Sequence, residues 1–564
     1  MSYKEANEMA NFGSHILHPK TMLPLISSGI PLRIKSSKNP ILPGTLINKK
    51  GSARGIKAVT SIEDVALVII EGKGLSKKVG IDARIFSSLS EENISVRMIA
   101  QASSERGIGF VIDKSDAIKA ELLLYKVFKL ELQKEEISSI RINSEIAIIA
   151  ILGRHNYSLE KAIRSLRKNR VWMHLISNSI SGEHISLVVD NKDMSKAIRV
   201  VHNEVFGVIK TINLFALGKG NVGAALLDQI ISTPKEIIEE RKLNIRICGI
   251  ADSKKYVCST EGFGKNWRED LKNGNTYQNL SDLIAVVEES GLENVVFADN
   301  TSAKIIADQY IHLVKKNFDL VASNKKANSG NLTFYLKLRE ALQRKEKYFH
   351  YETNVGAGLP ILDTLRNLRQ SSDEVKKILG VFSGSLSYIF NAFSEEDLPF
   401  SEVIEDARKM AYTEPDPRED LSGMDVARKL VILAREVAYP GELEKVKVQN
   451  LIPPGLRGLS SYEDFIKERK TLDLYYAEKK KALAENKVLR YVGELDIERS
   501  LLKVELISVD KSCPLGQIKN ADAIFEIYTK SYGEQPIIIR GAGAGAVVTA
   551  RGVYSDLLRI GRKI

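Results

Sequence analysis

Acidic side chains and a lysine are concentrated in the stretch YTEPDPREDLSGMDVARK, residues 412–429. Pro415 and Pro417 exclude a regular helix at its start, because each proline lacks a backbone N–H and pushes the preceding residue towards extended geometry. Ser422 stands three residues before Asp425, a spacing typical of a helix N-cap followed by an acidic third helical residue. The sequence therefore predicts an acidic loop that leads into an amphipathic helix.

Asp425 and Lys429 are four residues apart, so a helix would place them on the same face. A carboxylate and an amine on that face, opposite a loop that carries Glu414, Asp416 and Asp420, could bind a polar substrate and move its proton. The ordinary interpretation of the same spacing is a surface ion pair, which contributes roughly 0.2–0.5 kcal/mol. The residues by themselves leave both interpretations open.

The segment TEPDPREDLSGMDVARK resembles the signature of homoserine dehydrogenases, and nearly every position of that signature fits. The resemblance implies that Glu414 holds the amino group of homoserine and that Asp425 orients the substrate. Asp420, in the same loop, is a further candidate for substrate binding. The resemblance also implies that Lys429 is the general acid/base, with Lys325 as the competing candidate.

The length and composition describe a globular protein of several domains. The chain has 564 residues, of which 44% are hydrophobic, and about four domains are usual for this length. No run approaches the roughly 18 apolar residues that a membrane-spanning helix requires. The three cysteines lack the spacing of a metal site, which indicates a reducing compartment. We therefore expect a cytoplasmic protein with no membrane partner. The sequence leaves open whether a targeting segment lies upstream.

The net charge of +11 permits nucleic-acid binding, but the Lys and Arg residues are interspersed with acids along the chain. Such a distribution indicates solvated surfaces rather than a basic patch. It suits small anionic molecules at least as well. We therefore expect no nucleic-acid partner.

Residues 1–50 form a fragment. The segment FGSHILHPKTMLPLISSGIPLRIKSSKNP resembles the closing part of aspartate kinase catalytic domains. The glycine-rich, lysine-bearing segment that opens such kinases is absent, and no Walker-type loop replaces it. We expect a helix–strand appendage, the remnant of a kinase domain, and no kinase activity from this chain.

Residues 53–205 contain an internal repeat. VALVIIEGKG…GFVID is echoed by IAIIAILGRH…SLVVD, and each copy reads strand, helix, then two strands. The repeat resembles a pair of ACT domains, which are regulatory modules of amino-acid biosynthesis. The resemblance implies that Gln101, in IAQASSE, contacts an effector, threonine, whereas Asn178, in ISNSISG, stands where glutamine is usual. One working effector site is expected, and the alternative is two purely structural units.

The segment INLFALGKGNVGAALLDQI predicts a strand, a glycine turn and a helix. Gly218 suits the tight turn, Gly220 lets backbone N–H groups approach a pyrophosphate, and Gly223 lets the helix pack on the strand. The next strand ends near Asp252, which could bind the ribose hydroxyls of NAD, while Lys254 and Lys255 could bind the 2′-phosphate of NADP. The sequence predicts a dinucleotide site and leaves NAD and NADP open.

Two further strands end in polar residues. NVVFADNTSA places Thr301 and Ser302 after one strand, and DLVASNKKA places Lys325 after another. Ligands of open parallel sheets bind beyond the carboxyl ends of the strands. The resemblance implies that Lys325 touches both cofactor and substrate. With the positions that match the family, the predicted cofactor contacts are Gly218, Gly220, Asn221, Val222, Gly223, Lys254, Thr301, Ser302, Lys325, Ala411 and Gly545.

FHYETNVGAGLPI, residues 349–361, predicts a strand that runs into a glycine-rich turn. Such turns direct several carbonyl groups towards one centre, which suits a hard monovalent cation. The resemblance places sodium or potassium on the main-chain oxygens of Glu352, Val355, Ala357 and Leu359. The sequence alone favours a tight turn that begins a helix.

The predicted fold is α/β and α+β: an ACT-like pair, then a Rossmann-type dinucleotide-binding domain, then a mixed-sheet substrate and dimerisation domain. ILGVFSGSLSYIFNAF should supply a strand and a helix of that last domain. The predicted boundaries are 1–50 for the kinase remnant, 53–205 for the ACT pair, 211–350 with about 537–564 for the Rossmann domain, and 351–536 for the substrate domain.

The chain resembles an N-terminally shortened bifunctional aspartokinase–homoserine dehydrogenase. The resemblance implies NAD(P)-dependent interconversion of L-homoserine and L-aspartate 4-semialdehyde, in threonine and methionine biosynthesis, by a homodimer or homotetramer. One alternative is an amino-acid sensor with a degenerate dehydrogenase domain. Another is a nicotinamide dehydrogenase that acts on a different hydroxy acid.

Overall fold

The computed structural model describes residues 1–12, 17–51, 55–73, 79–101, 106–154, 158–179, 182, 184–206 and 209–563. The chain divides into two compact units, Met1–Lys210 and Thr211–Ile564. No helix within the described ranges combines the length and the apolar character that a membrane crossing needs.

The first unit opens with two helices and a small antiparallel pair of strands. Ser2 and Glu5 form a capping box that starts the first helix, and the second helix ends at Gly29, whose φ is +65°. The helix–strand appendage predicted for this segment is present. Its elements are α1 (Tyr3–Asn11), α2 (Pro19–Ser28), β1 (Leu32–Ile34) and β2 (Thr45–Ile47).

The predicted repeat follows, and each copy is closed by a further helix. The first copy consists of β3 (Gly55–Glu71), α3 (Ile81–Glu91), β4 (Val96–Gln101), β5 (Gly107–Asp113), α4 (Ala117–Val127) and α5 (Lys129–Gln133). The second consists of β6 (Ser139–Arg154), α6 (Ser158–Lys168), β7 (Met173–Asn178), β8 (His184–Asp190) and α7 (Met194–Phe206). The two copies share one sheet in the order β4-β5-β3-β6-β8-β7, joined where β3 pairs with β6 antiparallel.

The second unit begins with an open sheet flanked by helices. Its elements are β9 (Lys210–Leu217), α8 (Asn221–Ile231), α9 (Lys235–Arg241), β10 (Leu243–Ala251), β11 (Lys255–Cys258), α10 (Trp267–Lys272), β12 (Asn275–Thr276), α11 (Leu280–Glu289), β13 (Val295–Asp299), α12 (Lys304–Ala307), α13 (Tyr310–Lys315), β14 (Asp319–Ala322), α14 (Lys326–Ser329), α15 (Leu332–Lys345) and β15 (Phe349–His350). The strand order is β12-β11-β10-β9-β13-β14-β15, with β9, β13, β14 and β15 parallel. The chain leaves β9 towards β10 on one side and later returns to β13 on the other, so the carboxyl end of β9 lies at a switch point, where such sheets bind ligands.

The rest of the unit builds a second sheet covered by helices. Its elements are α16 (Ile361–Gln370), β16 (Val375–Val381), α17 (Gly384–Glu395), α18 (Phe400–Lys409), α19 (Arg418–Leu421), α20 (Met424–Glu436), β17 (Lys447–Val448), α21 (Tyr462–Lys467), α22 (Arg469–Lys481), β18 (Lys487–Asp496), β19 (Leu501–Asp510), β20 (Asp522–Thr529), β21 (Ile537–Ala542) and α23 (Ala546–Lys563). The sheet order is β17-β19-β18-β16-β20-β21, antiparallel except where β17 joins β19. The predicted α/β and α+β fold class is confirmed.

The C-terminal helix α23 returns to the first sheet of this unit. Val553, Leu557 and Ile560 pack in the same core as Leu214 of β9 and Leu226 of α8. The strand before it does not return, because β21 pairs antiparallel with β20 in the second sheet. The assignment of residues 537–564 to one domain is therefore corrected, since the chain changes sheets between β21 and α23.

Candidate active site

Asp425 lies between two lysine side chains. Its Oδ1 is 3.1 Å from Nζ of Lys325, and its Oδ2 is 2.9 Å from Nζ of Lys429. Asp425 and Lys429 lie one turn apart on α20, whereas Lys325 directly precedes α14, just beyond the carboxyl end of β14. We call these three residues the Lys–Asp–Lys array. It unites the two candidate proton carriers on one carboxylate.

Lys429 is fixed at both of its contacts. Its side chain is 9% exposed, and besides the bond to Asp425 its Nζ donates to the main-chain oxygen of Phe382, at 2.7 Å. Phe382 directly follows β16, so the strand of the second sheet positions the lysine. Sequence reasoning missed this contact, because a main-chain acceptor requires no particular side chain.

The environment of the array shifts the pKa values of Asp425 and Lys429. Burial lowers the pKa of the Lys429 ammonium, the charge of Lys325 lowers it further, and Asp425 opposes both. Burial would raise the pKa of Asp425, but the two ammonium groups outweigh burial and hold that pKa well below its ordinary value. The array therefore carries an ionised carboxylate and a lysine that loses its proton more readily than a free lysine.

The acidic loop before α20 has one exposed carboxylate and one that shapes the backbone. The carboxylate of Asp420 accepts a hydrogen bond from the backbone N–H of Glu414 at 2.9 Å. Burial raises the pKa of Asp420, and the negative charges of Glu414 and Asp425 add to this effect. The side chain of Glu414 is exposed, and no hydrogen bond or ion pair holds it within the described residues. Asp416 is instead occupied by Arg418, at 2.5 Å.

The start of α20 differs from the prediction. Its N-cap is Gly423, with φ +75°, and Ser422 is the C-cap of the preceding α19. The physical reason is space as well as conformation, because a Cβ on Gly423 would overlap the hydroxyl of Tyr491. Asp425 is accordingly the second residue of the helix, where its charge still favours the positive helix N-terminus.

The glycine turn after β9 has the shape that a pyrophosphate site needs. Gly218 has φ +90°, and a Cβ on Gly223 would overlap the carbonyl oxygen of Gly218. A Cβ on Gly220 would meet nothing within 4 Å, so the turn is open on that side. Asn221 and Val222 begin α8, so the N-terminus of this helix directly follows the turn.

Asp252 beyond β10 is occupied by protein groups. Its Oδ2 is 2.7 Å from Nζ of Lys219, and its Oδ1 accepts from the backbone N–H groups of Lys254 and Lys255. Burial works to raise the pKa of Asp252, but these donors outweigh it and lower the pKa. Lys219, which belongs to the glycine turn itself, was not singled out from sequence, although its side chain is exposed as that of Lys254 is.

Asp299, at the carboxyl end of β13, ties two loops together. Its buried carboxylate accepts from the backbone N–H of Thr301 at 2.8 Å, from the Thr301 hydroxyl at 2.7 Å and from Nδ2 of Asn324 at 2.9 Å. Tyr310 donates to the same carboxylate at 2.6 Å. Burial raises the pKa of Asp299, and these hydrogen bonds oppose the rise. The loop with Thr301 and the exposed Ser302 is thus locked to the loop that carries Lys325.

Ala411 and Gly545 both adopt left-handed backbone conformations. Ala411 follows α18 with φ +56°, and Gly545 precedes α23 with φ +123°. A Cβ on Gly545 would meet no atom within 4 Å, so conformation rather than space explains the glycine there. Alanine at the position of Ala411 is strained by about 1–2 kcal/mol relative to glycine.

The turn of residues 352–359 also contains left-handed backbone. Gly356 has φ +75° and Ala357 has φ +52°. The carboxylate of Glu352 accepts from the backbone N–H groups of Leu362 and Asp363, so it caps α16. No cluster of three or more His, Cys, Asp or Glu side chains that could hold a metal occurs in the described ranges, so a cation in this turn would rest on main-chain oxygens.

Two buried carboxylates meet beside this turn. Asp556 of α23 accepts from the backbone N–H of Glu352 at 2.9 Å. Burial, reinforced by the charge of Asp556, raises the pKa of Glu352 to about 7. Burial raises the pKa of Asp556 to about 6. A cation on the adjacent carbonyl groups would share these carboxylates with Arg559, which lies 3.4 Å from Glu352 and 3.5 Å from Asp556.

Gln101 and Asn178 occupy equivalent places in the two ACT-like copies. Gln101 ends β4 opposite Ile108 of β5, and Asn178 ends β7 opposite Ile185 of β8. Both side chains are exposed, on the two edge strands of the shared sheet. Residues 102–105 and 180–181, which complete the two effector motifs, lie outside the described residues.

Family models match three parts of the chain. Residues 360–558 match the homoserine dehydrogenase family, and residues 218–352 match the NAD binding domain of homoserine dehydrogenase. Residues 68–128, the first repeat copy, match an ACT domain.

Full-length comparisons agree with these matches. The bifunctional aspartokinase/homoserine dehydrogenase of Buchnera aphidicola subsp. Acyrthosiphon pisum is 37% identical over 99% of this chain and 69% of its own length. A chloroplastic bifunctional enzyme of Arabidopsis thaliana is 37% identical, and 63% of its length is covered. The chain thus spans about two thirds of these bifunctional relatives.

Relatives of the second unit are also found by themselves. The homoserine dehydrogenase of Saccharomyces cerevisiae is 38% identical over 63% of this chain and 99% of its own length. Among solved structures, a protein of unknown function from Candida auris superposes with a TM-score of 0.57 and 33% identity, covering 63% of this chain and 99% of that one.

Proposed function

The chain belongs to the homoserine dehydrogenase family, and from this premise we propose that it interconverts L-homoserine and L-aspartate 4-semialdehyde with NAD(P). The observation that carries the proposal is the Lys–Asp–Lys array. It sets two ammonium groups beside the acidic loop and at the end of the sheet that carries the glycine turn. The intact array also argues against a degenerate dehydrogenase that serves only as a sensor.

Glu414 holds the ammonium group of homoserine in this proposal. Its carboxylate is exposed, whereas the neighbouring Asp420 is bonded to the loop backbone. A carboxylate that accepts from an ammonium group makes a charge-assisted hydrogen bond, about twice as strong as a neutral one. Asp420 shapes the loop and adds negative charge, and Asp425 orients the reacting end of the substrate through the two lysines.

Lys429 exchanges the hydroxyl proton of the substrate. Its depressed pKa brings the neutral amine into reach for homoserine oxidation, while the ammonium form suits protonation in the reducing direction. Lys325, on the same carboxylate, contacts both substrate and cofactor and is the competing proton carrier. The bound nicotinamide nucleotide supplies the hydride exchange with C4 of the substrate.

The glycine turn and the strand ends hold the nucleotide in this proposal. The open side at Gly220 and the N-terminus of α8 suit the pyrophosphate. Because Asp252 is already occupied by Lys219, the exposed Lys254 favours the 2′-phosphate of NADP over the bare ribose of NAD. The proposed contacts are Gly218, Gly220, Asn221, Val222, Gly223, Lys254, Thr301, Ser302, Lys325, Ala411 and Gly545.

A monovalent cation, sodium or potassium, is proposed on the main-chain oxygens of Glu352, Val355, Ala357 and Leu359. Two consecutive left-handed residues in this turn support it, as do the buried carboxylates beside it. The cation would brace the junction between α16 and α23. It takes no part in the proton transfer.

The first unit is proposed to sense threonine through Gln101, with Asn178 marking a weaker or inactive second place. The ACT match of the first copy supports an amino-acid effector. A homodimer or homotetramer is proposed because β21 is an edge strand with Ile538 46% exposed. A cytoplasmic location is proposed because Cys248, Cys258 and Cys513 are all unpaired.

Oxidation of NADPH and NADH by the purified chain tests the proposal. Aspartate 4-semialdehyde is compared with succinate semialdehyde and with butanal, which lacks both polar groups. Turnover should require aspartate 4-semialdehyde and be faster with NADPH. Turnover with none of these aldehydes would favour the sensor, and a preference for another aldehyde would indicate a different dehydrogenase.

A further inference from the structure

A cavity of about 630 Å³ opens on the second unit, away from the Lys–Asp–Lys array. It lies between α15, β15, α16 and the C-terminal end of α20 with the turn of residues 438–440. Its volume falls within the range of cavities that bind small molecules. None of the residues assigned to catalysis, cofactor, cation or effector lines it.

The wall of this cavity is strongly cationic. Its basic side chains are Arg339, Lys347, Arg366, Arg369 and Arg435, and Glu436 is its acidic one. Glu436 is already matched by Arg366, at 2.7 Å. Lys347 is near Asp319 at 3.5 Å, and Arg435 is near Glu442 at 3.4 Å.

Two guanidinium groups of the wall lack a carboxylate. Among the described residues, neither Arg339 nor Arg369 lies within ion-pair distance of an acid. Arg339 is only partly exposed and stacks on Tyr335 at 4.4 Å and on Tyr351 at 4.8 Å. The guanidinium of Arg339 donates to uncharged groups, the Tyr351 hydroxyl at 2.7 Å and Asn328 Oδ1 at 2.8 Å, so with no carboxylate in contact it can still pair with an anion from outside the chain.

Aromatic rings form the rest of the wall. Tyr335, Tyr348, Phe349, Tyr351 and Tyr439 line the cavity beside the arginines. Rings and stacked guanidinium planes present flat surfaces, which favour a flat apolar body, and the arginine N–H groups favour a carboxylate.

We propose that this cavity binds a small organic anion, a carboxylate with a flat apolar body, and that its occupancy modulates the dehydrogenase. The second part of the inference rests on the proposed function, and the first does not. Binding is driven by the guanidinium groups of Arg339 and Arg369 and by contact with the rings.

The cavity connects directly to both elements that carry the array. Arg339 donates to Oδ1 of Asn328 at 2.8 Å, and Arg435 donates to the Asn328 main-chain oxygen at 2.8 Å. Asn328 belongs to α14, which begins directly after Lys325. Arg435 itself lies in the last turn of α20, which carries Lys429. An anion that binds Arg339 can therefore shift α14 and α20, and with them Lys325 and Lys429.

Isothermal titration of the full chain with phthalate, in the absence of substrate, tests the binding. Benzamide is the uncharged probe, with the same ring and a single amide in place of the two carboxylates. We expect one saturable phthalate site per chain, with benzamide weaker by about tenfold or more, because charge-assisted hydrogen bonds are lost. The absence of saturable phthalate binding at millimolar concentrations overturns the proposal.

Exposed positions of the cavity allow variants that fold. Arg369→Gln removes one charge, and Leu336→Glu places a carboxylate at a lining residue that is 56% exposed. Both should weaken phthalate by about tenfold or more. Leu474→Glu, at a position 68% exposed on α22, makes the same charge change elsewhere and should leave binding unaltered.

Two controls distinguish the cavity from the active site and from a subunit contact. Phthalate affinity should survive Lys429→Met, and its loss there would assign the binding to the active site and overturn the proposal. If Leu336→Glu dissociates an oligomer in size-exclusion chromatography, the cavity is a subunit contact, which likewise overturns it.

Modulation of the dehydrogenase is measured by comparing the kinetics of homoserine oxidation with and without phthalate. We expect kcat or KM to change at least twofold in the unmodified chain and to stay constant in Leu336→Glu. Binding without any such change would refute the modulation while leaving the site in place. Binding with no dehydrogenase activity at all would refute the proposed function instead.

Discussion

The contact of a carboxylate with two ammonium groups affects the protonation of Asp425 and Lys429. In the Lys–Asp–Lys array, Lys429 is 9% exposed and Lys325 is 30% exposed, so burial acts mainly on Lys429. Burial and the charge of Lys325 depress the pKa of Lys429, and the charge of Asp425 opposes this effect without cancelling it. This balance suits a group that accepts a proton in one direction and donates it in the other.

Asp425→Asn should shift the pH dependence of homoserine oxidation to lower pH. Oxidation requires the neutral amine of Lys429, and Asp425 raises the pKa of that amine, so its removal lets the neutral form appear at lower pH. We expect the rising limb of kcat/KM to move down by about one pH unit or more. Lys325→Met removes a charge that lowers the same pKa, so its limb should move up.

Profiles of kcat/KM between about pH 6 and about pH 10 measure both shifts. The ordinary pKa of lysine sets this pH range. Both variants should also turn over more slowly, so the position of the limb rather than its height is the relevant readout. Shifts in the same direction for both variants would contradict the assignment of Lys429.

Glu414→Gln should raise KM for homoserine by about tenfold while leaving KM for the nucleotide unchanged. The substitution replaces a charge-assisted hydrogen bond with a neutral one, at similar size. Steady-state kinetics measures both constants, and Glu419→Gln, an exposed neighbour on α19, is the matched control. An unaltered homoserine KM would remove Glu414 from the site.

The members of this site were predictable from one contiguous signature and from a strand end. Their joint contact was not, because Lys325 and Asp425 are far apart in sequence and no local pattern specifies their distance. Phe382 escaped prediction because it acts through its main-chain oxygen.

Individual elements set where these side chains stand. The carboxyl ends of β13 and β14 are locked by Asp299, which accepts from both Thr301 and Asn324. The loop that carries Thr301 and the loop that carries Lys325 are therefore held together by one carboxylate. Asp299 was not singled out from sequence. It belongs to a strand that is otherwise apolar, and its neighbours in sequence do not indicate which groups its carboxylate contacts.

Asp299→Asn should raise KM for the nucleotide and lower kcat, each by about tenfold, in a chain that remains folded. An amide cannot accept from Thr301, Tyr310 and Asn324 together, and each lost hydrogen bond of a buried group costs roughly 1–3 kcal/mol. Kinetics well below the melting temperature measures the effect. Tyr310→Phe removes one of these bonds and should show a smaller change. Kinetics equal to the unmodified enzyme would show that Asp299 serves stability alone.

Element boundaries were the weakest part of the sequence prediction. Ser422 fits a capping pattern, yet Gly423 begins α20 because only glycine fits beneath Tyr491 in a left-handed conformation. β21 lies next to α23 in sequence, but pairing with β20 keeps it in the second sheet. In both cases tertiary packing decided the boundary, and no local sequence pattern indicates that packing.

At the scale of the whole molecule, the order of architectures followed from sequence. Periodicity identified the repeat, and the glycine turn identified the nucleotide sheet, because both signals are local. The exposed cavity with its arginines is lined by residues of α15, α16 and α20. These helices are separate in sequence, so no single stretch of sequence predicted the cavity.

Threonine should inhibit the dehydrogenase partially, and Gln101→Ala should relieve the inhibition. Gln101 and Asn178 occupy equivalent strand ends, but Asn178 is shorter by one methylene, so one site per chain is expected. Threonine can act only by binding one conformation of the chain better than another. Calorimetry measures stoichiometry, with Asn178→Ala as the control that should retain binding. If calorimetry detects no binding heat at millimolar threonine, the repeat has a structural role instead.

The central claim is that Lys429, held by Asp425 and the Phe382 main-chain oxygen, carries the proton. The most direct test is kcat of Lys429→Ala for homoserine oxidation, with the NADPH dissociation constant measured on the same preparation. Asp425 keeps Lys325 as a partner in this variant, so the fold should persist. We expect kcat to be lower by about 10²–10⁴-fold with NADPH affinity unchanged, as the role of Lys429 requires. A variant that binds NADPH normally and retains more than about a tenth of kcat would contradict it.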